Sequence, residues 1–307
     1  MRRGSSLWPG RSLGRGRHAG VAALAACLLI VVVGLAGLPR VGEACAADVK
    51  PAAEAQWAHI LRVVAALNED PPQVPDVYLL GGSSALDSTI SDTSWAAQVR
   101  KLGGTPVSAH NMGSANQTYA QDIAIVNQLP AVPSIVLIGV NLGRYTRPVA
   151  AAGAQPAYRA AICSLGRPHD PIPHTLSDAQ KKAQVYVWLT DRYPLFRQNF
   201  AGNTGQLELL VAACQARGLH PVLLELPLNL PIVRHAFDKP RVQYRDSCRA
   251  LAKKYTIPKI NFLKRDHLVS SDFADLFHLL EPGCVKWQLR LSKTVVSLLA
   301  RYGMESP

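Results

Sequence analysis

The sequence has few charged and few aromatic side chains, which make up 18% and 7% of its 307 residues, whereas nearly half of the residues are hydrophobic. A chain of this length and composition can bury a large core, which excludes bulk disorder. Acidic residues are the scarcer charged group, at 21 against 33 Lys and Arg, and the net charge is +12. No Lys/Arg run with interleaved aromatics accompanies this excess, so nucleic-acid binding is not indicated and a generally basic surface is the simpler interpretation.

Acids are almost missing from the first 46 residues, which hold six arginines and one acid, Glu43. Removing that segment lowers the net charge from +12 to +7. An uncharged apolar run from Ala19 to Leu38 follows the basic start, and Ala44-Cys45-Ala46 comes after it. This order is typical of a secretory leader, although the run also reaches the length of a membrane-spanning anchor. Residues 1–46 are therefore predicted to be a signal peptide or signal anchor, and both alternatives place the rest of the protein outside the cytoplasm.

Cysteine is also scarce, and none of the six cysteines is spaced as Cys-x-x-Cys. This argues against a zinc ribbon, and the sequence predicts no metal site. Cleavage after Ala46 would leave Cys163, Cys214, Cys248 and Cys284, which permits two disulfides in an oxidising compartment. Cys214 and Cys248 also fall on apolar helix positions, where each can be a buried free thiol.

Short apolar runs alternate with amphipathic segments after an entry segment and linker at residues 47–75, in which a short amphipathic helix is predicted at about residues 56–67. Strands are predicted at residues 77–80, 107–111, 135–139, 222–226 and 257–262. Continuous apolar strands separated by helices indicate a three-layer α/β/α domain with a mostly parallel, five-stranded sheet, here over residues 76–303. Residues 145–200 break the alternation and are predicted to be an insertion that forms a cap over the site.

Polar residues stand after two of the predicted strands, and a further pair lies near the C-terminus. Ser84 follows the first strand, Asn141 follows the third, and Asp275 precedes His278 by three residues. Ligand sites in such sheets lie at the carboxyl ends of the strands, so these side chains are expected to meet there. A serine, a histidine and a carboxylate together can form a nucleophile, its base and the group that orients the base.

The ordered combination resembles the SGNH (GDSL-like) hydrolase superfamily over about residues 77–299. Gly82-Ser83-Ser84 resembles the Gly-Asp-Ser block, and Asn111 to Thr118 resembles the second block, with Asn116 in place of the usual oxyanion glycine and Gly113 retained. Gly139-Val140-Asn141-Leu142 keeps the Asn of the third block and loses its Asp, while Asp275 and His278 match the last block.

The resemblance implies a flavodoxin-like fold and a Ser-His-Asp mechanism without a cofactor. Ser84 is predicted to be the nucleophile, with His278 as base and Asp275 as its partner, and His278 Nε2 should reach Ser84 Oγ. The resemblance assigns Asn141, Asn116 and Gly113 to oxyanion and substrate binding. The loose Gly-Ser-Ser form looks like the branch with the teichoic-acid D-alanylation protein and envelope glycan O-acetyltransferases.

Three functions remain open from the sequence. The first is an extracytoplasmic esterase or O-acyltransferase whose partner is an acylated carbohydrate or another ester, with membrane association through Ala19 to Leu38. The second is a catalytically silent module that binds envelope glycans or partner proteins. The departures from the blocks motivate it, whereas the intact Ser84, Asp275 and His278 argue against it. The third is a lipid-directed esterase, which needs an open apolar groove beside the nucleophile.

Overall fold

Five strands form a single sheet in the computed structural model, which describes residues 56–149, 175–263 and 267–305. The strand order is β2-β1-β3-β4-β5, and every neighbouring pair is parallel. The strands are β1 (Asp76–Gly81), β2 (Ser108–Gly113), β3 (Ser134–Val140), β4 (His220–Glu225) and β5 (Lys259–Ile260). The chain passes from β1 to β2 on one side of β1 and then to β3 on its other side. The carboxyl ends of β1 and β3 therefore flank the point where ligands bind in such sheets.

Helices connect these strands and cover the sheet. They are α1 (residues 56–69), α2 (Ser83–Leu86), α3 (Asp92–Gly103), α4 (Tyr119–Val126), α5 (Asp178–Val187), α6 (Tyr193–Ala216), α7 (Leu230–Val233), α8 (Asp238–Tyr255) and α9 (Glu281–Arg301). A π-helical turn, Trp188–Arg192, joins α5 to α6, and 3₁₀ turns occupy Leu142–Thr146 and Ser270–Asp272.

The helices form two layers with the sheet between them, as the sequence predicts. Helix α3 packs on α9, while α6 packs on α4 and α8. Strands β1 and β3 are buried along their whole length, which explains their continuous apolar sequences. The result is a three-layer α/β/α fold around a single core.

The largest differences from the sequence prediction concern β5 and the predicted insertion. Strand β5 covers only two residues of the predicted 257–262. The part of the predicted insertion from Asp178 onward is helical, and it runs through the π turn into core helix α6. Trp188 and Phe196 are buried in the core, and residues 150–174 of the predicted insertion lie outside the described residues.

The predicted leader lies outside the described residues. None of the helices described in residues 56–305 is both long enough and apolar enough to cross a bilayer. The disulfide alternative is wrong for the three cysteines described: Cys214, Cys248 and Cys284 are buried free thiols. Cys163 lies outside the described residues.

Candidate active site

Two adjacent serines follow β1 at the carboxyl edge of the sheet. The strand ends at Gly81, Gly82 is the N-cap in extended conformation, and α2 begins with Ser83. The turn is tight, since a Cβ added at Gly81 would lie 2.7 Å from that of Ala85. Ser83 is partly exposed, whereas Ser84 is only 4% exposed. The turn therefore presents Ser83 to solvent and directs Ser84 inward.

Ser83, His278 and Asp275 form a hydrogen-bonded chain. His278 Nε2 lies 2.8 Å from Ser83 Oγ, and His278 Nδ1 lies 2.7 Å from Asp275 Oδ2. The Asp275 carboxylate accepts a hydrogen bond from Nδ1–H, which leaves Nε2 as the acceptor for the Ser83 hydroxyl. This is the arrangement that activates a serine, because the base that must remove its proton is already in contact with it.

Ser84 is therefore not the serine that meets the base, and the sequence prediction is wrong by one residue. Its Oγ instead accepts a hydrogen bond from Asn141 Nδ2 at 3.0 Å. The physical reason is the helix start at Ser83, since consecutive side chains on a helix point in different directions. Aligning Gly81-Gly82-Ser83 with the Gly-Asp-Ser block, instead of Gly82-Ser83-Ser84, puts the serine that contacts His278 at the serine of the block.

The electrostatics of the pair match the roles of base and orienting carboxylate. Burial acts to lower the pKa of His278, but the hydrogen bond and charge of Asp275 outweigh it and hold that pKa above its ordinary value. Burial likewise acts to raise the pKa of Asp275, and the contacts with His278 and two backbone N–H groups hold it below its ordinary value. The pair is thus stabilised as imidazolium and carboxylate, the state that forms when the base takes a proton.

The loop that carries both residues is closed by its own backbone. Ala274 N donates to His278 O at 2.9 Å, and Asp275 Oδ1 accepts from the N–H groups of Phe277 and His278 at 2.7 and 2.9 Å. Asn229 Nδ2 also donates to Asp275 O at 3.1 Å. The spacing Asp-x-x-His therefore produces one tight loop, as the sequence predicts, with the carboxylate fixed before it meets the imidazole.

Lys181 anchors this loop and was missed by sequence reasoning. The side chain is 2% exposed, and Nζ donates to the carbonyls of Ser270 and Phe273, each at 2.8 Å. A lysine on an amphipathic helix is ordinarily a surface residue, so nothing in the local sequence distinguishes Lys181 from its neighbour Lys182. The contacts lie 89 and 92 residues away in sequence.

Two asparagines face the serines from the other side. Asn141 Oδ1 accepts from Arg144 N at 3.1 Å, which orients its Nδ2 group toward Ser84. One of the two Nδ2 hydrogens remains to donate to an oxyanion. Asn116 has φ +61°, the left-handed conformation that suits glycine and that asparagine tolerates best among other residues. Asn116 thus occupies the conformation expected of the glycine it replaces, and both asparagines line the cavity beside Ser83.

Gly113 does not belong to the oxyanion set, which corrects the sequence prediction. Its N–H already donates to Asn111 Oδ1 at 3.0 Å, so it has no free donor to offer. A Cβ at this position would lie 2.6 Å from the backbone nitrogen of Leu86. Gly113 is therefore needed for the close approach of β2 to the serine helix α2.

A buried polar network connects the loops of the two asparagines. Arg144 donates to Asp122 Oδ2 at 2.6 Å and to Gly139 O at 2.8 Å. Gln117, next to Asn116, donates to Asp122 Oδ1 at 2.6 Å and accepts from Ser114 at 2.8 Å. Because each carboxylate oxygen of Asp122 receives a hydrogen bond, the network ties the Asn116 loop to the Asn141 loop.

The serine opens into a cavity of about 180 Å³. Arginines from two elements reach it: Arg147, which follows the 3₁₀ turn after β3, and Arg192, at the end of the π turn. Trp188 and Phe277 supply apolar walls. No Asp or Glu is among the described residues that line this cavity.

Glu225, at the end of β4, is a buried structural carboxylate. It accepts from Tyr244 Oη and from Arg245 Nε, which lies 2.9 Å from both carboxylate oxygens. It does not line the cavity among the described residues. This strand-end carboxylate therefore fixes α8 against β4 and is separate from the Ser83 cluster.

Comparison with known proteins finds similar folds at low sequence identity. No family model and no curated protein matches the chain. An acetylxylan esterase from Geobacillus stearothermophilus is 10% identical with a TM-score of 0.46, over 73% of this chain and 93% of that chain. A protein from Bacteroides fragilis assigned as an acylhydrolase is 15% identical with a TM-score of 0.41, over 78% and 97%. A protein from Desulfitobacterium hafniense assigned to the lipolytic G-D-S-L family is 16% identical with a TM-score of 0.38, over 71% and 98%.

Proposed function

We propose that this protein is a serine esterase of the SGNH type, with Ser83 as nucleophile, His278 as base and Asp275 as the group that orients the base. The observation that carries the proposal is the chain from Ser83 Oγ through His278 to Asp275, with both contacts under 3 Å. A silent binding module has no physical need for this chain at the base of an open cavity. The assembled geometry therefore favours catalysis over the silent module.

The reaction follows from these positions. His278 Nε2 takes the Ser83 proton as Oγ attacks the ester carbonyl, and the negative charge moves to the carbonyl oxygen. The Asn141 amide and the backbone N–H groups of Ser83 and Asn116 are the proposed donors to that oxygen, and one such donor is typically worth about 10²–10³-fold in rate. The bond to the alcohol oxygen then breaks, and His278 returns the proton to the leaving alcohol. Water, deprotonated by His278, releases the acid and regenerates the Ser83 hydroxyl.

Labelling with a fluorophosphonate probe tests the nucleophile directly. The wild-type protein, Ser83→Ala and Ser84→Ala should be compared, because the two serines are adjacent and provide matched controls. We expect labelling of wild type, labelling of Ser84→Ala at a reduced rate because Asn141 loses its Oγ partner, and none of Ser83→Ala. Peptide mapping should place the adduct on Ser83.

Other labelling patterns have clear meanings. Loss of labelling in Ser84→Ala alone would show that Ser84 is the nucleophile after all. Absence of labelling in folded wild-type protein, together with no turnover of 4-nitrophenyl acetate, would contradict the esterase and leave the silent module. Folding of each variant is checked by its circular dichroism spectrum.

We also propose that the enzyme acts outside the cytoplasm on acyl groups of an envelope or exported glycan, by hydrolysis or by transfer. The support is the basic and apolar N-terminus with its Ala-Cys-Ala site. A fusion of residues 1–46 to a reporter that is active only after export should be active. Retention of the fusion in the cytoplasm would exclude the proposed location. Esterase and transferase are separated by adding sugar acceptors and measuring the ratio of acylated sugar to free acid.

A further inference from the structure

Two arginines in the Ser83 cavity have no carboxylate to neutralise them in the part of the chain that the structure describes. Arg147 Nη2 donates to Asn116 Oδ1, so its guanidinium lies directly beside the loop that contributes to the proposed oxyanion site. Arg192 is exposed at the cavity rim. Among the described residues, neither has an Asp or Glu within ion-pair distance, and the nearby Asp191 is bonded to Thr190 Oγ1 at 2.8 Å. The arrangement contrasts with Arg144 in the same cavity wall, which is paired with Asp122.

The fold holds these cations together. Asn203 of α6 donates to the carbonyl of Arg147 at 2.8 Å, and Asn199 donates to that of Thr146 at 3.2 Å. These bonds fix the backbone of Arg147 against the helix that continues from Arg192. Burial and, second, the charge of Arg192 hold the pKa of Arg147 below its ordinary value. Two like charges that lie in one cavity, without a counter-charge among the described residues, have an unfavourable electrostatic energy, and a bound anion would offset it.

The element that presents Arg192 supports the same conclusion. Arg192 ends a π-helical turn that begins at Trp188, and such turns inside α-helices are frequent at functional sites. Trp188 is 5% exposed and packs on Phe237 with ring centroids 4.5 Å apart, so one end of the turn is fixed in the core. The other end, with Arg192, is free to meet a ligand in the cavity.

We propose that Arg147 and Arg192 bind a negatively charged group of the substrate, a carboxylate, phosphate or sulfate, while its ester lies at Ser83. The inference rests on the proposed esterase function and specifies its substrate as an anionic ester. Guanidinium groups recognise such oxyanions through paired N–H donors, and both arginines are in reach of one ligand because they line one cavity.

A binding experiment tests the anion site without catalysis. Ser83→Ala is titrated by calorimetry with a galacturonic acid trimer and with a xylose trimer as the neutral control. We expect the anionic trimer to bind at least tenfold more tightly, and 0.5 M salt to weaken it selectively. Arg192→Gln in the same background should abolish the preference and Arg192→Lys should retain most of it. Arg197→Gln, an exposed arginine on α6 that does not line the cavity, should leave it unchanged.

A kinetic experiment shows which part of the ester carries the charge. A charge on the alcohol side predicts that acetylated oligogalacturonate is hydrolysed with a higher kcat/KM than acetylated xylo-oligosaccharide. A charge on the acyl side predicts that mono-4-nitrophenyl succinate exceeds 4-nitrophenyl butyrate. In either case Arg192→Gln should lower kcat/KM for the anionic ester about tenfold more than for its neutral counterpart. Inhibition by inorganic phosphate or sulfate, lost in Arg192→Gln, would identify these groups as the preferred anions.

The two proposals fail separately. Equal affinity of Ser83→Ala for anionic and neutral trimers, with no inhibition of wild type by phosphate or sulfate, would overturn the anion site even if esters are hydrolysed. An unchanged preference in Arg192→Gln would overturn it as well. Anion binding that depends on Arg192, in a protein that neither labels with fluorophosphonate nor hydrolyses any ester, would retain the site and overturn the esterase.

Discussion

His278 carries the pH dependence of the site. In the proposed mechanism the neutral imidazole is the active base, and Asp275 holds its pKa above the ordinary value of about 6.5. The acid limb of kcat/KM for a neutral ester should therefore fall at a pH above 6.5, with activity lost as the pH drops through it. In Asp275→Asn the raising charge is gone and burial lowers the pKa, so the limb should move to lower pH while kcat falls about 10³–10⁴-fold.

The control for this profile is Asp246→Asn, an exposed carboxylate on α8 that pairs with Arg249. Its profile should match wild type. A limb that stays in place in Asp275→Asn would show that another group sets it. The raised pKa of His278 also affects stability. It stabilises the fold at pH values below the pKa of His278 in the unfolded chain, and this contribution is lost as the pH rises through the pKa in the folded protein.

Asn116 tests whether the left-handed backbone at the oxyanion loop matters. Asn116→Gly keeps the conformation at φ +61°, so we expect kcat within a few-fold of wild type despite the lost contact with Arg147. Asn116→Val favours an extended backbone and moves the N–H away, so kcat should fall about 10²–10³-fold. Steady-state kinetics with 4-nitrophenyl acetate measures both, and equal losses in the two variants would show that the Asn side chain, rather than its backbone, is what catalysis needs.

Which of the two adjacent serines contacts His278 could not be predicted from the sequence. The loop from Asp275 to His278 was predictable because three-residue spacing brings a carboxylate and an imidazole together locally. The choice between Ser83 and Ser84 depends on the residue at which β1 stops and α2 starts. Both serines are small polar residues in a Gly-rich turn, so no local pattern separates them. A shift of one residue exchanges Ser83, the proposed nucleophile, for the buried hydroxyl of Ser84.

At the scale of elements, Lys181 on α5 links the helix to the catalytic loop. Lys181→Met removes the donor to the carbonyls of Ser270 and Phe273 while keeping the length and apolar stem of the side chain. We expect the free energy of unfolding to fall by about 1–3 kcal/mol, because the buried Phe273 carbonyl and the partly buried Ser270 carbonyl lose a donor. The kcat/KM should fall as well, since Asp275 lies two residues beyond the anchored Phe273 carbonyl.

Urea denaturation and ester hydrolysis measure the two effects. Lys182→Met is the matched control, because Lys182 is the exposed neighbour on the same helix. It should change neither quantity by more than the experimental error. A Lys181→Met protein with wild-type kcat/KM and reduced stability would show that the anchor supports the fold without positioning the catalytic loop.

The elements themselves were largely predictable, for a physical reason. Strands β1, β3 and β4 are buried on both faces, and such strands have continuous apolar sequences that stand out from helices. Strand β5 is an edge strand of two residues, so its sequence is under weaker constraint and its length was overestimated. Helix α5 has many polar residues, and the sequence alone could not show that it continues through a π turn into α6.

At the scale of the whole molecule, the site depends on residues brought together from distant parts of the chain. Ser83 and His278 are 195 positions apart, and the network of Arg144, Asp122 and Gln117 joins two loops that follow different strands. The α/β alternation predicts which loops meet at the carboxyl edge of the sheet. It does not predict which buried polar side chains satisfy one another, because that depends on geometry within about 3 Å.

The thiols provide a test of the whole fold. Burial raises the pKa of Cys214 and Cys284 to about 12 and of Cys248 to about 11, so all three should be unreactive while the protein is folded. For residues 47–307, a thiol reagent should therefore react with these cysteines only after denaturation, and a reducing agent should leave the Tm unchanged. Mass spectrometry after alkylation in denaturant should find Cys214, Cys248 and Cys284 modified without prior reduction. A Tm that a reducing agent lowers would contradict this expectation, as would a cysteine among the three that reacts only after reduction. Either result would show that these cysteines form disulfides, whereas the structure has them as free thiols.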